Sequence, residues 1–597
     1  MLCEQRDKFD VLKEYFGYDS FRTGQEELVD GLLSGRDVVG IMPTGAGKSL
    51  CYQVPALMKG GITLVISPLI SLMKDQVSAL IQQGVRAAYL NQSLNAAQYR
   101  KALSNASQGM YKIIYVAPER LESPSFISFA QRADISMIAV DEAHCVSQWG
   151  QDFRKSYLNI NRFIGGLPRR PVVGAFTATA TAEVREDIIR LLGLQDPLVV
   201  TTGFDRPNLF FSVLHPKSKE TELLKLLKER QGKSGIIYCS TRKKVEEVCD
   251  TLNSSGISAT RYHAGLPQEE RVNNQDDFVY DRRQVMVATN AFGMGIDKSD
   301  VRFVIHYNMP KNLESYYQEA GRAGRDGEDA DCILLYSKSD VATCRFFIDQ
   351  IEDNPDLPPG QNEAFKKKEE ERLKYMTFYS TTSDCLRKFM LRYFGDRYKS
   401  SCGKCSNCLT KKRPYLTKRQ LSSAQSGYIG RNDHYTGYDL KRNEYDEELL
   451  KALEVVRLTF AKRRGVPAFV IFTEADLLDM CRKLPVNEAQ FLSVSGVSRK
   501  KFELFGEAFL RVIRKYVNER NGVAEVEKKP AQKPRYISYM EKAKANYSGA
   551  YAPWTEEEIN RLKEEYASGM TVKQMSDIHG RTQGAIQSRL KKEGLVK

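Results

Sequence analysis

A glycine-rich loop between an apolar run and a helical stretch constrains the fold of this chain more than any other feature. Residues 37–41 are predicted to form a buried strand and residues 48–57 a helix, and between them stands Met42-Pro-Thr-Gly-Ala-Gly-Lys-Ser49. A glycine loop in that position turns backbone N–H groups toward an anion. The segment therefore predicts an α/β sheet that binds the phosphates of a nucleotide, and a chance glycine-rich turn is the alternative.

Each residue of this loop has an expected role in binding ATP. Gly45 and Gly47 let the backbone approach the phosphates, Lys48 is expected to reach the β- and γ-phosphates, and Ser49 to bind Mg²⁺. The strict pattern would place glycine at position 42, where this chain has methionine. The predicted nucleotide-binding residues of the loop are Thr44, Gly45, Ala46, Gly47, Lys48 and Ser49.

Two carboxylates follow a second apolar run, at residues 135–140. Asp141 and Glu142 would stand at the C-terminal end of that strand, where ligands of open α/β sheets gather. Asp141 is expected to hold Mg²⁺, and Glu142 to orient or activate the attacking water. Alone, this pair could be the start of a solvated helix, but its combination with the phosphate loop favours nucleotide hydrolysis.

Apolar runs alternate with helical stretches along residues 1–344. Predicted strands lie at 63–67, 112–116, 137–140 and 172–176, and then at 235–239, 285–288, 303–306 and 332–336. Such alternation is typical of parallel sheets with crossover helices. The chain is therefore predicted to contain two tandem α/β domains, residues 1–206 and 207–344, with the nucleotide between them.

The composition favours a nucleic-acid partner. The formal net charge is +14 and the pI is about 9.0, which is typical of polyanion-binding chains but also of basic proteins in general. The sequence has no apolar run long enough for a membrane helix and no apolar segment of a secretory signal. Most of the twelve cysteines are scattered, which fits a reducing compartment.

Two arginines stand one helical turn apart in Glu319-Ala-Gly-Arg-Ala-Gly-Arg325. An arginine that reaches the γ-phosphate from the second domain stabilises charge in the transition state. We predict Arg325 as the principal catalytic arginine and Arg322 as its neighbour, because the glycines beside them allow close approach. Two ordinary surface arginines are the alternative.

In their order, these motifs resemble those of RecQ-family DNA helicases of superfamily 2, whose phosphate loop has the same Pro-Thr-Gly-x-Gly-Lys-Ser form. The resemblance extends over residues 1–410. The motifs are Phe21-Arg22-Thr-Gly-Gln25, Pro43-Thr-Gly-Ala-Gly-Lys-Ser49, Ser67-Pro-Leu-Ile-Ser-Leu-Met73, Val116-Ala-Pro-Glu-Arg120, Asp141-Glu-Ala-His144, Phe176-Thr-Ala-Thr-Ala180, Tyr238-Cys-Ser-Thr-Arg242, Ala288-Thr-Asn-Ala-Phe-Gly-Met-Gly-Ile-Asp297 and residues 318–325.

The resemblance implies further nucleotide contacts and a fold. The two α/β domains are expected to be RecA-like motor domains. Tyr18 is expected to stack on adenine, with Arg22 and Gln25 at its edge, since an amide can both donate and accept. Gly295 and Asp297 are the remaining predicted nucleotide-binding residues.

The segment after the carboxylates resembles the aromatic-rich loop with which the family senses single-stranded DNA. Trp149 and Phe153 offer faces on which bases can stack, worth about 1–3 kcal/mol per base. Arg154 offers a phosphate or stacking contact, and Gln148 completes the predicted DNA-binding set. The alternative is that Trp149 belongs to the hydrophobic core.

Three cysteines, Cys402, Cys405 and Cys408, stand at the spacing that wraps one metal ion, and Cys385 lies upstream. Four thiolates form a closed structural Zn²⁺ site, and an iron–sulfur cluster is the alternative. The resemblance to the RecQ zinc module, predicted at 345–411, favours zinc. Arg387, Lys388 and Arg392 would then lie on the surface of the module near DNA, or on a merely solvated face.

Beyond the cysteines the sequence departs from the common plan of the family. Residues 412–443 are predicted to be a linker, so that the winged-helix domain of many relatives is expected to be missing. Residues 444–520 resemble an all-α HRDC domain, a nucleic-acid-binding module. A charged linker is predicted at 521–534.

The last segment, 535–597, is predicted to be a small helical tail with a helix-turn-helix pattern, because Gly580-Arg581 joins two short helical stretches. Gln583, Gln587 and Arg589 would project from the second of these helices toward DNA. A three-helix bundle that docks onto protein is the alternative.

The leading hypothesis is an ATP-dependent DNA helicase that requires ATP, Mg²⁺ and Zn²⁺ and translocates 3′→5′ if it follows the family. Its expected partners are single-stranded and duplex DNA, single-strand-binding protein and other repair proteins, with roles in recombination, repair and replication. An RNA helicase and an ATP-switched DNA-binding factor without robust unwinding are the alternatives. The domain layout predicts a bacterial source, and hence a cytoplasmic location at the nucleoid without membrane attachment.

Overall fold

The computed structural model describes residues 6–149, 153–292, 298–350, 362–396, 398, 400–412, 446–520 and 554–596. The chain divides into two compact units, Met1–Asn521 and Gly522–Lys597. The predicted linkers at 412–443 and 521–534 lie outside the described residues, apart from Lys412, and so do residues 535–553 of the predicted tail.

A seven-stranded parallel sheet forms the first lobe, in the order β3-β4-β2-β5-β6-β1-β7. Neighbouring residues of β1 enter different clusters, since Val38 packs in one apolar core and Val39 in another. Both faces of the sheet are therefore covered, which explains its nearly continuous apolar runs. The strands are β1 (Val38–Ile41), β2 (Ile62–Ile66), β3 (Ala87–Leu90), β4 (Ile113–Val116), β5 (Ile135–Val140), β6 (Val172–Thr177) and β7 (Leu198–Thr201).

A six-stranded parallel sheet forms the second lobe, in the order β10-β11-β9-β12-β13-β8. Ile236 and Ile237 of β9 likewise belong to different cores, so this sheet is also covered on both faces. The strands are β8 (Leu209–Leu214), β9 (Gly235–Tyr238), β10 (Ala259–Tyr262), β11 (Val285–Ala288), β12 (Phe303–His306) and β13 (Ala330–Leu335).

Helices connect the strands of both lobes. In the first lobe they are α1 (Lys8–Val11), α2 (Gln25–Leu33), α3 (Lys48–Met58), α4 (Ile70–Gln82), α5 (Ala96–Ser107), α6 (Pro124–Ala130), α7 (Asn159–Gly165) and α8 (Ala182–Leu191). In the second lobe they are α9 (Lys219–Lys228), α10 (Arg242–Ser254), α11 (Gln268–Val279), α12 (Leu313–Ala320) and α13 (Lys338–Asp349).

A helical module with the four cysteines packs against both lobes and shares their largest core, to which Met376, Leu386 and Cys405 belong. Its helices are α14 (Asn362–Thr381), α15 (Leu386–Tyr393) and α16 (Ser406–Lys412). The next domain has its own core around Leu453, Phe472 and Phe509. Its helices are α17 (Glu447–Arg464), α18 (Ala468–Ile471), α19 (Glu474–Lys483), α20 (Glu488–Leu492), α21 (Arg499–Lys501) and α22 (Glu507–Arg520).

The second unit contains α23 (Glu556–Ala567), α24 (Val572–Ile578) and α25 (Gln583–Lys592) around a small core. Threonines cap these helices, since Thr555, Thr571 and Thr582 each accept a hydrogen bond from a backbone N–H of the first turn, an arrangement that stabilises helix starts. Gln583 and Gln587 are exposed. Arg589 instead pairs with Glu593 at 2.8 Å on the same helix, and DNA binding by this unit stays a prediction.

The fold class expected from the sequence is confirmed: two parallel-sheet lobes precede a cysteine-bearing module, a helical domain and a helical C-terminal unit. The domain boundaries stay predictions. In the part of the chain that the structure describes, no helix is both long and apolar enough to cross a membrane.

Candidate functional site

The phosphate loop occupies the turn from β1 to α3, with two glycines in left-handed conformations. Gly45 has φ 83° and Gly47 φ 80°, which glycine adopts without steric cost. A Cβ atom on Gly47 would lie 2.5 Å from the Gln25 side chain. Glycine at position 47 is therefore favoured by its φ, and a side chain there would also displace the Gln25 amide.

Two residues predicted to contact adenine hydrogen-bond to the backbone carbonyls of this loop. Gln25 is buried, and its Nε2 donates to Ala46 O at 2.9 Å and Gly47 O at 3.1 Å. Arg22 Nη1 donates to Gly45 O at 2.9 Å. Tyr18 lines the same cleft. Contact of these three residues with adenine stays a prediction.

Lys48 starts helix α3 and lies close to both carboxylates. Its Nζ donates to Met42 O at 3.1 Å, and burial lowers its pKa while Glu142 and Asp141 oppose that shift. Burial, with Glu142 next to it, raises the pKa of Asp141 to about 7, and Lys48 acts against this. A cationic ligand at this position would relieve the repulsion between the carboxylates, as expected of a Mg²⁺–nucleotide site.

Glu142 is held in a left-handed conformation, with φ 46°, which is costly for a residue other than glycine and is typical of functional sites. Its Oε2 is buried 3.4 Å from His144 Nδ1, and it has no hydrogen-bond partner among the described residues. The same nitrogen of His144 lies 2.8 Å from Thr177 Oγ1 at the end of β6. A water between Glu142 and a bound phosphate would satisfy this orphaned oxygen.

The predicted catalytic arginines approach the loop from the second lobe. Arg322 and Arg325 line one cleft of about 500 Å³ together with Lys48 and the two carboxylates. A Cβ atom built on Gly45 would lie 3.5 Å from Arg325 Cα. Residues from both lobes therefore face one cavity.

Arg206, which the sequence-based prediction did not include, joins the two sides of the cleft. It is buried between the lobes, and its Nη1 donates to Thr44 O of the phosphate loop and to Gly321 O. Its Nη2 donates to Ala323 O at 3.0 Å and Gly324 O at 2.7 Å, which lie between the two predicted catalytic arginines. The available sequence signal was an arginine at the predicted domain junction, immediately before Pro207.

The helical domain 446–520 forms a third wall of the cleft. Thr473, Asp476 and Lys501 line it beside Tyr18. Gly496 N donates to Gly17 O at 3.2 Å, and a Cβ on Gly17 would lie 2.5 Å from Val497 C. At the second lobe, Arg302 pairs with Glu474 at 2.9 Å, and Tyr280 OH donates to Gly465 O at 3.0 Å.

The described aromatic residues after the carboxylates pack against the first unit and do not extend into solvent. Trp149 is half-buried, packs on the main core, and has Lys368 Nζ 4.0 Å from its ring centroid. Phe153 and Arg154 are also half-buried, and Arg154 Nη1 donates to Pro68 O at 3.3 Å. Gln148 is half-buried beside Trp149. Residues 150–152, and the predicted nucleotide contacts Gly295 and Asp297, lie outside the described residues.

The four predicted metal ligands converge. Their Sγ atoms all lie within 4.8 Å of one another, with Cys402–Cys408 and Cys385–Cys405 both at 3.9 Å. Tetrahedral Zn²⁺ with Zn–S of about 2.3 Å implies S–S separations of about 3.8 Å. Backbone N–H groups of Lys388 and Cys402 point at Cys385 Sγ, which supports a thiolate.

One expectation for this module was wrong. Arg387 is not on a DNA-facing surface, because only 3% of it is exposed. Its guanidinium donates to the Asp205 carboxylate and to the carbonyls of Arg206 and Leu209. The side chain therefore fastens the cysteine-bearing module to the segment that joins the two lobes.

Two parallel-sheet lobes that share one phosphate-binding cleft, with arginines supplied from the second lobe, define a nucleotide-driven motor of the helicase type. Family models agree: DEAD/DEAH box helicase matches residues 22–188 and helicase conserved C-terminal domain matches residues 218–327. RecQ zinc-binding matches residues 338–409 and the HRDC domain matches residues 446–513.

Relatives identify the family. The chain is 38% identical to the ATP-dependent DNA helicase RecQ of Bacillus subtilis, over 85% of this chain and 98% of that protein. The proteins of the same name from Pasteurella multocida and Haemophilus influenzae are 35% and 33% identical, over 85% and 86% of this chain and 93% and 97% of theirs. The chain belongs to the RecQ family of ATP-dependent DNA helicases. It binds ATP and acts on DNA, and its cysteine cluster is a zinc site.

Replacing Arg206 by lysine tests the connection across the cleft. The variant keeps the charge but loses the forked set of donors, so we expect kcat for ATP hydrolysis to fall by about 10²-fold through mispositioned catalytic groups. Nucleotide affinity should change far less, because Lys48 and the loop remain. Steady-state kinetics and binding of a fluorescent nucleotide measure both quantities. Arg282→Lys, on an exposed part of the second lobe, is the matched control, and equal kcat values for the two variants would contradict the assignment.

Replacing Cys405 by alanine tests the zinc site. We expect metal analysis to show loss of bound zinc, and Tm to fall because the ion closes a module packed on both lobes. Cys344→Ser is the control, since Cys344 is a buried cysteine outside the cluster, and it should retain zinc. Full zinc content in Cys405→Ala would exclude this set of ligands.

Proposed function

We propose that this chain translocates 3′→5′ along single-stranded DNA and unwinds duplex or structured DNA in recombination, repair and replication. The observation that carries the proposal is the shared cleft, in which Lys48 from the first lobe and Arg325 from the second face one cavity. In such a cleft, binding and hydrolysis of ATP change the distance between the lobes. DNA gripped by both lobes would then move in steps.

The residues of the cleft have distinct roles in hydrolysis. Lys48 would hold the phosphate chain, and Ser49 with Asp141 would hold Mg²⁺, which neutralises charge on the phosphates. Glu142 is the expected base, because its buried Oε2 has no hydrogen-bond partner among the described residues and would accept a hydrogen bond from the attacking water. Arg322 and Arg325 would stabilise the charge that develops on the transferred group.

The movement of the lobes is expected to depend on Arg206 and on the aromatic segment. Arg206 binds carbonyls on both sides of the cleft, so it would keep the lobes in register during closure. Trp149, Phe153 and Arg154, with Gln148, are proposed to contact single-stranded DNA by stacking and by phosphate contact. The arrangement links DNA near Trp149 to the carboxylates only a few residues upstream.

Several features beyond the motor belong to the same proposal. The predicted domains 1–206, 207–344, 345–411, 444–520 and 535–597 would act together on a tailed duplex, with the C-terminal unit as an additional DNA contact. Gln583 and Gln587 are its exposed candidates. Single-strand-binding protein is proposed as a partner because it covers the product strand, and a nucleoid location follows from the substrate.

Replacing Lys48 by alanine, in assays on tailed duplexes, tests the proposed motor. We expect the variant to lose ATPase and unwinding together, since the phosphates lose their main cation. The unchanged protein should open a duplex with a 3′ overhang and leave one with a 5′ overhang closed. The fluorescence of a released labelled strand measures unwinding of the two substrates, and phosphate release measures ATPase. Lys74→Ala, at an exposed position of α4, is the control.

The alternatives make different predictions in the same assay. An RNA helicase would show ATPase stimulated by single-stranded RNA and not by DNA. An ATP-switched binding factor would bind DNA in an ATP-dependent way without releasing a strand. Unwinding that survives Lys48→Ala would contradict the motor assignment, and opening of the 5′-tailed substrate alone would reverse the proposed polarity.

A further inference from the structure

Helix α14 of the zinc-binding module lies between the aromatic segment of the first lobe and helix α12 of the second. Lys368 of α14 places its ammonium over the Trp149 ring, 4.0 Å from the centroid, and also pairs with Glu183 of α8. One turn later, Arg372 donates from Nη2 to the backbone carbonyl of Trp149. Two cations of one helix therefore hold Trp149, one by its ring and one by its backbone.

Arg372 also reaches the second lobe. Only 9% of Arg372 is exposed, and its Nε lies 3.5 Å from Glu314 Oε1, while Nη1 donates to Glu369 at 2.6 Å. Glu314 Oε1 accepts from Tyr393 OH at 2.8 Å, and Glu314 Oε2 is buried without a hydrogen-bond partner among the described residues. A buried carboxylate with one unsatisfied oxygen depends strongly on its cationic neighbour.

Glu314 stands in the first turn of α12, and all eight residues of this helix are buried. The chain leaves α12 at Ala320 and continues directly to Arg322 and Arg325. Glu314 and the arginines of the nucleotide cleft therefore stand at the two ends of one short, packed segment. Arg372 is thus in contact with the aromatic segment and with the helix that leads to the catalytic arginines.

The ring face under Lys368 has room for one occupant. A DNA base that stacks on that face of Trp149 must take the position of the ammonium, since both need direct contact with the ring. Base stacking and the Lys368 contact therefore exclude each other on this face.

We propose that Lys368 latches the Trp149 ring in the DNA-free protein, and that single-stranded DNA releases the ring by displacing Lys368. Arg372 then relays the release through Glu314 to α12, which sets Arg322 and Arg325 for hydrolysis. Lys368, Arg372 and Glu314 are positioning residues, and the inference rests on the proposed role of the aromatic segment in binding DNA.

Trp149 itself reports on the latch, because the chain has only two tryptophans. In a Trp554→Phe background, we expect Lys368→Met to raise the acrylamide quenching constant of Trp149 in the DNA-free protein. Oligo(dT) should alter the emission of Trp149 in that background protein. Lys374→Met, at an exposed lysine of the same helix, should leave quenching unchanged.

The relay is tested by ATPase measured with and without oligo(dT). We expect Arg372→Lys and Glu314→Gln to keep the DNA-free ATPase rate and the KM for ATP. The stimulation of ATPase by oligo(dT) should fall about tenfold in each variant. The double variant should show no smaller stimulation than either single variant, because both substitutions interrupt the same contact between Arg372 and Glu314. Thermal unfolding verifies that each variant is folded.

The possible failures are distinguishable. Full DNA stimulation in folded Arg372→Lys overturns the relay, and quenching unchanged by Lys368→Met overturns the latch. If oligo(dT) leaves Trp149 emission unaltered while still stimulating ATPase, the aromatic segment does not bind DNA. That last result overturns the proposed DNA contact itself, and with it the latch.

Discussion

The guanidinium of Arg206 connects the two lobes across the cleft that holds the phosphate loop. Its donors bind Thr44 O on the phosphate loop and the carbonyls of Gly321, Ala323 and Gly324 beside the predicted catalytic arginines. Buried charge-assisted hydrogen bonds of this kind fix geometry as well as contribute energy. Lys48 and Arg325 line the same cleft on its two sides. Arg387 in turn binds the carbonyl of Arg206 at 2.6 Å, so the zinc-bearing module supports the same connection.

The HRDC domain makes the nucleotide cleft a site with three walls. The backbone of Gly496 meets that of Gly17 with no space for a side chain at position 17, and the Arg302–Glu474 pair ties the same domain to the second lobe. A nucleotide base near Tyr18 would therefore share space with Asp476 and its neighbours. The HRDC domain and the phosphate loop therefore line the same cleft.

Sequence patterns predicted the central strands of both sheets and missed the four edge strands. The missed strands are β3 and β7 at the edges of the first sheet, and β8 and β10 at the edges of the second. An edge strand is covered less completely, as the mixed burial of β3, β7 and β10 shows, so its apolar run is weaker. Strand β8 is fully buried, and its omission has no such explanation. The phosphate loop, by contrast, was predictable because its function depends on adjacent residues.

The sequence alone predicted the local ligand sites. The glycine loop, the paired carboxylates and the cysteine spacing each indicate a ligand through residues close together in the chain. The sequence did not predict the partners of Arg206, Arg372 and Arg387, because each of them binds carbonyls or carboxylates far away along the chain. A sequence shows that an arginine is charged, but not which buried acceptor it will reach. That choice was made by the docking of the lobes, the zinc module and the HRDC domain, since a buried cation must be paired wherever packing places it.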